Sequence, residues 1–229
     1  MRSLSSNTVK GALLHFFEML FGITILCMGA AMGIIAGLGQ TTSTAACSAI
    51  AGAAHIKVGT AMMFLYSFFL ILQLGLLGRA FRPQRLFQLI PVFLHGWILN
   101  FFKYSFGPFQ SLHPQTYPQK FLLFFVGMLC ISLGFTIIKC SRFVNYPPEE
   151  FCSLAADRLG IRFGSCKIIL DFAYVATALL ICWLFALGFG IVREGTLIFS
   201  VCNGILINLF QPPTEKLFQR LDQQIIRQK

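Results

Sequence analysis

Apolar residues fall along this chain in long, nearly unbroken runs, not in the alternation of a half-buried strand or the narrow stripe of a water-exposed helix. Six runs stand out, at 14–38, 58–78, 86–106, 121–138, 164–189 and 196–210, with polar or Pro- and Gly-containing breaks between them. A helix needs about 17 to 25 mostly apolar residues to cross a hydrocarbon core of about 30 Å. The first five runs reach that length, and the sixth is short. In lipid the backbone must satisfy its own N–H and C=O groups, so each run is read as a helix.

The pattern also repeats. Residues 20–60 read again at 125–165 with a constant offset of 105 and no gap. Gly22 falls on Gly127, Gly29 on Gly134, Cys47 on Cys152, Ser48 on Ser153, Ala51 on Ala156, Ile56 on Ile161 and Gly59 on Gly164, with Lys57 on Arg162 and Thr60 on Ser165. Past Leu77 the offset becomes 108, which sets Gly96 on Gly204, Asn100 on Asn208, Phe102 on Phe210 and His95 on Asn203. Chance likeness between apolar helices is the rival explanation, but shared Gly, Cys and Ser positions are harder to match by accident than Leu or Phe. Two related halves follow, about 14–106 and about 121–211, in one membrane domain with a tail at 212–229 expected in the cytoplasm. Halves that each cross a bilayer an odd number of times lie upside down relative to one another, as in many secondary transporters. The expected fold is all-α: a polytopic membrane protein with six transmembrane helices as two inverted three-helix repeats.

Between the first and second runs of each half lies a longer loop. In the second half Pro147, Pro148, the acids Glu149 and Glu150, apolar residues at 151, 154, 155 and 159 and a closing Gly160 predict a short amphipathic helix over 147–159. The first-half counterpart, 41–55, is nearly uncharged and rich in Ala, Ser and Thr, with N-cap candidates at 41–44. Such helices lie flat on the membrane or dip into it; the charges of 147–159 suit an interface, and 41–55 suits the dipping arrangement. In the first run Gly29, Gly33 and Gly37 stand four apart, a spacing that lets another helix approach to backbone contact. That smooth face serves helix packing or a binding groove.

Composition agrees with a membrane. The chain is 56% hydrophobic and 11% charged with 26 Phe in 229 residues, too little polar surface to close around a water-soluble core. Its net charge of +10 is not laid along one solvated face with stacking aromatics, so a nucleic-acid partner is not expected. Six spans put thirteen Lys and Arg on one side, Arg79, Arg82, Arg85 and Lys139 among them, against Lys57, Lys103, Lys120 and Arg193 on the other. The positive-inside rule then places both termini in the cytoplasm. Arg2 and Lys10 before an apolar run resemble a signal peptide, but the run is long, enters the repeat and lacks a convincing cleavage site, so it is read as a retained span. The eight cysteines form no CxxC pair, and no His grouping has zinc spacing; no metal or cofactor is expected. Nor does the chain carry a Walker loop, an HExxH, a nucleophile elbow or a dinucleotide fingerprint, which argues against an enzyme or an ATP-driven pump.

Ionisable groups inside spans are costly, and each is a site candidate. Lys167 and Asp171, four apart in the fifth run, share a helical face. A structural ion pair and a substrate or proton site both fit them. Between the fifth and sixth runs stand Gly190, Ile191, Val192, Arg193, Glu194, Gly195 and Thr196. Free N–H groups at Gly195 and Thr196, with Arg193 beside them, would suit an anion; Glu194 favours a cation, a proton or a zwitterion, and a solvated turn is the plain alternative. His95 and Asn203, matched between the halves, could meet near the midplane or simply hydrogen-bond helices together. Pro91 is expected to kink the third span before His95. Gln73 has no polar residue at its repeat position and draws little attention.

On these residues the chain resembles the YczE/YitT-like family of bacterial integral membrane proteins. The likeness covers most of the chain and is strongest at Phe163, Gly164, Ser165, Cys166, Lys167, Ile168, Ile169, Leu170 and Asp171 and at Val192, Arg193, Glu194, Gly195 and Thr196. In the first half Gly37, Leu38, Gly39 and Gly59 are similar to the family's glycine pattern. The resemblance implies a polytopic fold in the bacterial cytoplasmic membrane; the family has no settled biochemical activity.

The functional expectation is a secondary permease for a small polar, zwitterionic or charged solute, bound or coupled by Lys167, Asp171, Arg193, Glu194, His95 and Asn203. Its partners would be the lipid bilayer and a small-molecule or ion substrate, with a homo-oligomer or an energising subunit left open. Two alternatives remain: a substrate-capture subunit of a multi-component transporter, docking through the small-residue face of the first span, and a non-transporting membrane scaffold or regulator.

Overall fold

The structure is a computed structural model and describes residues 6–227. Its helices are α1 (Ser6–Ala36), α2 (Thr42–Ala54), α3 (Val58–Leu77), α4 (Leu89–Tyr104), α5 (Gly107–Gln110), α6 (Tyr117–Ser141), α7 (Pro147–Leu159), α8 (Phe163–Leu184) and α9 (Glu194–Arg227). Among the described residues six stretches are long and apolar enough to cross a membrane: Gly11–Ala36, Val58–Ala80, Pro83–Tyr104, Tyr117–Ser141, Phe163–Leu184 and Glu194–Leu221. Large apolar side chains such as Phe64, Phe172, Trp183 and Leu197 stand exposed on their outer faces, which is tolerable where the solvent is hydrocarbon. The chain is a multi-pass helical membrane protein.

Three boundaries differ from the sequence reading. The fifth span stops at Leu184 although apolar residues continue, because Ala186 and Gly188 take positive φ (51° and 75°) and turn the chain out of the helix. The sixth does not stop at 210; α9 runs to Arg227 through Pro212 and Pro213, so the tail is helical as far as 227. The third span, read from 86, enters its α-helix only at Leu89. A 3-10 helix, Pro83–Gln88, precedes α4, and Pro91 stands in the first turn of α4, where a missing N–H leaves nothing unsatisfied.

At the centre α1 and α6 cross backbone to backbone. A Cβ on Gly29 would stand 2.5 Å from the carbonyl oxygen of Gly127, and one on Gly134 would stand 2.6 Å from that of Gly22. Gly22 thus faces Gly134 and Gly29 faces Gly127, and the two helices run antiparallel. Of the small residues of the first span, Gly22 and Gly29 are closed over by α6, with Met19, Ile23, Cys27, Ala31 and Met128 buried beside the crossing, whereas a Cβ at Gly33 or Gly37 would meet nothing within 4 Å. Around it α4 packs on α1 and α9 on α6. Gly59 and Gly96 bring α3 against α4, where the Asn100 side chain accepts the Gly59 N–H (2.9 Å) and donates to the Thr60 hydroxyl (3.2 Å), capping the start of α3.

The two loop helices are built into the bundle. Residues 44–49 of α2 are buried, and α2 packs on α3 and α8. The first turn of α7 is buried at Pro147 and Pro148, and α7 also packs on α3 and α8, while its end at Leu159 is exposed.

Gly29→Leu is expected to cost at least about 1–3 kcal/mol through overpacking and to lower the thermal midpoint of the detergent-solubilised protein. Gly33→Ala, where an added Cβ meets nothing within 4 Å, is expected to leave the midpoint unchanged.

Candidate functional site

Between α1, α2, α3, α4, α6, α7, α8 and α9 lies a cavity of about 450 Å³. Its walls follow from two helix starts and one ion pair. Thr41 caps α2 by accepting the Thr44 N–H (3.1 Å), which turns the Thr42 side chain toward α8. There the Thr42 hydroxyl donates to Asp171 Oδ1 at 2.7 Å, and Lys167 Nζ donates to the same oxygen at 2.8 Å. One helical turn separates Lys167 from Asp171, so the pair forms within α8 and ties it to α2.

The facing wall is aromatic. His95 of α4, Tyr66 of α3 and Tyr146 before α7 meet edge to face, with ring centroids 5.6 to 6.0 Å apart. His95 is 4% exposed, and among the described residues neither of its ring nitrogens has a hydrogen-bond partner; the same holds for the Tyr146 hydroxyl. Buried polar atoms of this kind are uncommon and call for a ligand or water. Asn203 completes the lining from α9, its Oδ1 accepting from Ser132 at 2.8 Å.

Glu149 enters the cavity from the first turn of α7. Desolvation pushes its carboxyl up to about 7; Lys167 opposes that shift, Asp171 adds to it, and the Tyr146 backbone N–H, donated to the carboxylate, opposes it. Beside it Glu150 is neutralised by Arg85 (2.8 Å) and accepts from Asn145 (3.1 Å). Gln73, fully buried, donates to the Gln88 side chain (2.9 Å) and the Pro147 carbonyl (3.0 Å) and accepts from Arg85 (3.3 Å). This network seats the start of α7 on α3 and on the segment leading into α4. Gln73 therefore carries more than its repeat position suggested, because its partners lie off the repeat register.

At the other end of the bundle the chain after α1 is fastened to the start of α9. Gly195 N–H donates to the Leu38 carbonyl (2.8 Å), Gln40 N–H to the Thr196 hydroxyl (3.1 Å) and Arg193 to the Gly37 carbonyl (3.2 Å). Gly39, at φ +117°, passes so close that a Cβ would stand 2.7 Å from Thr196 N.

Four of the six residues read from the sequence, Lys167, Asp171, His95 and Asn203, line the cavity. Arg193 and Glu194 do not. They pair with each other at 3.0 Å, about two-fifths exposed, at the fastening. The donors that could have held an anion there are taken: Gly195 N–H by Leu38 and Thr196 N–H by the Arg193 carbonyl (2.9 Å). The sequence reading missed Thr42, Tyr66, Tyr146 and Glu149. A signal for two of them was present, since the 105-residue offset sets Tyr66 on Asp171 and Thr44 on Glu149.

Residues 13–212 match the model of the Family of unknown function (DUF6198), and the chain belongs to that family. No curated protein and no solved structure matches it.

Replacing Gln73 by Leu strands the Gln88 amide and the Pro147 carbonyl, and is expected to cost about 1–3 kcal/mol, read as a lowered midpoint in thermal unfolding. Thr42→Val removes one donor from Asp171 while Lys167 remains, and is expected to cost about 1 kcal/mol in the same measurement.

Proposed function

We propose that the chain is a secondary permease of the bacterial cytoplasmic membrane, built as two inverted three-helix repeats, which moves a small polar, zwitterionic or charged solute through the cavity. One observation carries this reading: residues equivalent in the two halves line the same cavity. Tyr66 and Asp171 correspond at an offset of 105, as do Thr44 and Glu149; His95 and Asn203 correspond at 108. A pseudo-twofold axis through the cavity would place them so. The antiparallel crossing of α1 and α6, themselves equivalent elements, supports opposite orientation of the halves.

Transporters of this plan hold solute near the midplane and expose it by rocking one repeat against the other. Exposed Lys139 and Asn145 stand at the cavity mouth. The excess of Lys and Arg on that side supports a cytoplasmic mouth and cytoplasmic termini, and the resemblance to the YczE/YitT-like family supports the bacterial setting. The fastening of 37–40 to α9 would then be the outer closure. Asp171, held by Lys167 and Thr42, is the group whose pairing would change as solute arrives.

The rival reading of a substrate-capture subunit drew on the small-residue face of α1, of which α6 covers the stretch at Gly22 and Gly29, while a Cβ at Gly33 or Gly37 would meet nothing within 4 Å. A scaffold without cargo is tested directly. A thermal-shift screen against amino acids, organic acids and inorganic ions should find a ligand that stabilises the purified protein, by about 2.7 kcal/mol at a hundred times its Kd. In proteoliposomes Asp171→Asn should lower uptake of that ligand at least about tenfold, a barrier increase of about 1.4 kcal/mol, with the unliganded midpoint little changed. Full uptake by a folded Asp171→Asn chain refutes the coupling role, and a chain that unfolds on this change without any transport loss in cells supports the scaffold.

A further inference from the structure

Charge balance in the cavity is uneven. Asp171 is matched by Lys167, and Glu150 by Arg85. Lys139, at the mouth, engages the Gln211 side chain at 3.1 Å. Glu149 is the remaining carboxyl of the lining, and among the described residues no Lys, Arg or His nitrogen lies within 4 Å of it. Ionised, it leaves the interior one negative charge in excess. Around this charge the lining offers acceptors and ring faces. Among the described residues the His95 nitrogens and the Tyr146 hydroxyl are without partners, and Tyr66, Phe135 and Phe199 add aromatic surface.

A protonated primary amine matches all three features. It supplies the missing positive charge, its three N–H donors suit a carboxylate, a neutral imidazole nitrogen and a phenolic oxygen, and a cation is attracted to aromatic faces. A carboxylate solute would meet Glu149 with like charge and leave the acceptors unmatched. We propose that the cavity binds a small monovalent alkylammonium and that Glu149 holds either that cation or a proton, so that the permease exchanges one for the other. This rests on the permease reading and names its substrate class.

The balance closes simply: Glu149 releases a proton to water as the ammonium arrives and regains one as it leaves, and no bond in the solute changes. The groups facing Glu149 are Lys167, Asp171 and Tyr174 from α8, Lys139 from α6, His95 from α4, Tyr66 from α3, and its neighbours Tyr146 and Glu150. Lys167 and Asp171 cancel and Lys139 is turned to Gln211 at the mouth, so inward of the mouth the proton on Glu149 decides the sign of the site. Because burial raises this carboxyl to about 7, the cation-binding form prevails above that pH and is lost as pH falls through it.

The test uses the full chain in detergent and three probes of one size: n-propylammonium, propionate and the zwitterion β-alanine. An alkylammonium stays charged across the range, as Lys does with a pKa of about 10.4. At about pH 8 propylammonium should raise the thermal midpoint and propionate should not; below about pH 7 its Kd should rise about tenfold per unit, as for one proton competing for one carboxylate. Glu149→Gln, which can still accept the Tyr146 N–H, should weaken binding at least about tenfold, about 1.4 kcal/mol, and abolish the pH dependence.

Stronger binding of propionate or β-alanine overturns the cation assignment. So does a propylammonium Kd flat in pH, a pH dependence that survives Glu149→Gln, or silence from all three probes. The wild-type pH series stands without the variant, should the variant not fold. Absence of uptake of any bound probe by the wild-type chain in proteoliposomes sinks the permease reading without altering these binding isotherms, so the two failures are distinguishable.

Discussion

Everything in this bundle is arranged about the contact of α1 with α6, where Gly22, Gly29, Gly127 and Gly134 let two backbones touch. Within lipid, association of helices gains little from the hydrophobic effect, so close packing and polar contacts must supply it. Four glycines at matched positions supply the first, and they do so in a crossing that keeps α4 against α1 and α9 against α6. With those elements set, α3 and α8 stand far enough out for α2 and α7 to fit between them and leave a space at the centre.

The polar groups around that space are of two kinds, those paired nearby and those with no ion-pair or hydrogen-bonding side chain beside them among the described residues. Lys167 with Asp171 and Arg85 with Glu150 belong to the first kind. Glu149, His95 and the Tyr146 hydroxyl belong to the second. An ion pair that is about one-third exposed, as Lys167 with Asp171 is, adds little net stability, because solvent screens the attraction. Its value here is positional, since Asp171 draws Thr42 and with it the start of α2 onto α8.

Much of this was legible in the residues. Six helices followed from run length, and the two loop helices from proline, threonine and glycine placed at their ends; α7 does close at Gly160 in a left-handed conformation. Lys167 and Asp171 were visible because helical spacing alone decides that they meet. The misreadings share a cause. Where the fifth span ends depends on the backbone angles of Ala186 and Gly188, and hydropathy is blind to them. Arg193 and Glu194, singled out because they are charged and flanked by glycine, stand away from the cavity, and the donors beside them serve the chain after α1, some 156 residues away in sequence. Glu149 was read as an ordinary first-turn acid of a surface helix, since nothing local tells that α7 begins inside the bundle. Gln73 was passed over because its partners are set by tertiary contact and not by the repeat.

The seating of α2 has a bearing on how the chain matures. Its resting place is on α8, and α8 is made only after more than a hundred further residues have left the ribosome. During that interval a short helix with a threonine-rich start and no cation of its own must wait beside α3, its Thr42 hydroxyl without Asp171. The nascent first half is thus an unfinished object in the bilayer, and the span bearing Lys167 is the piece whose insertion lets it settle.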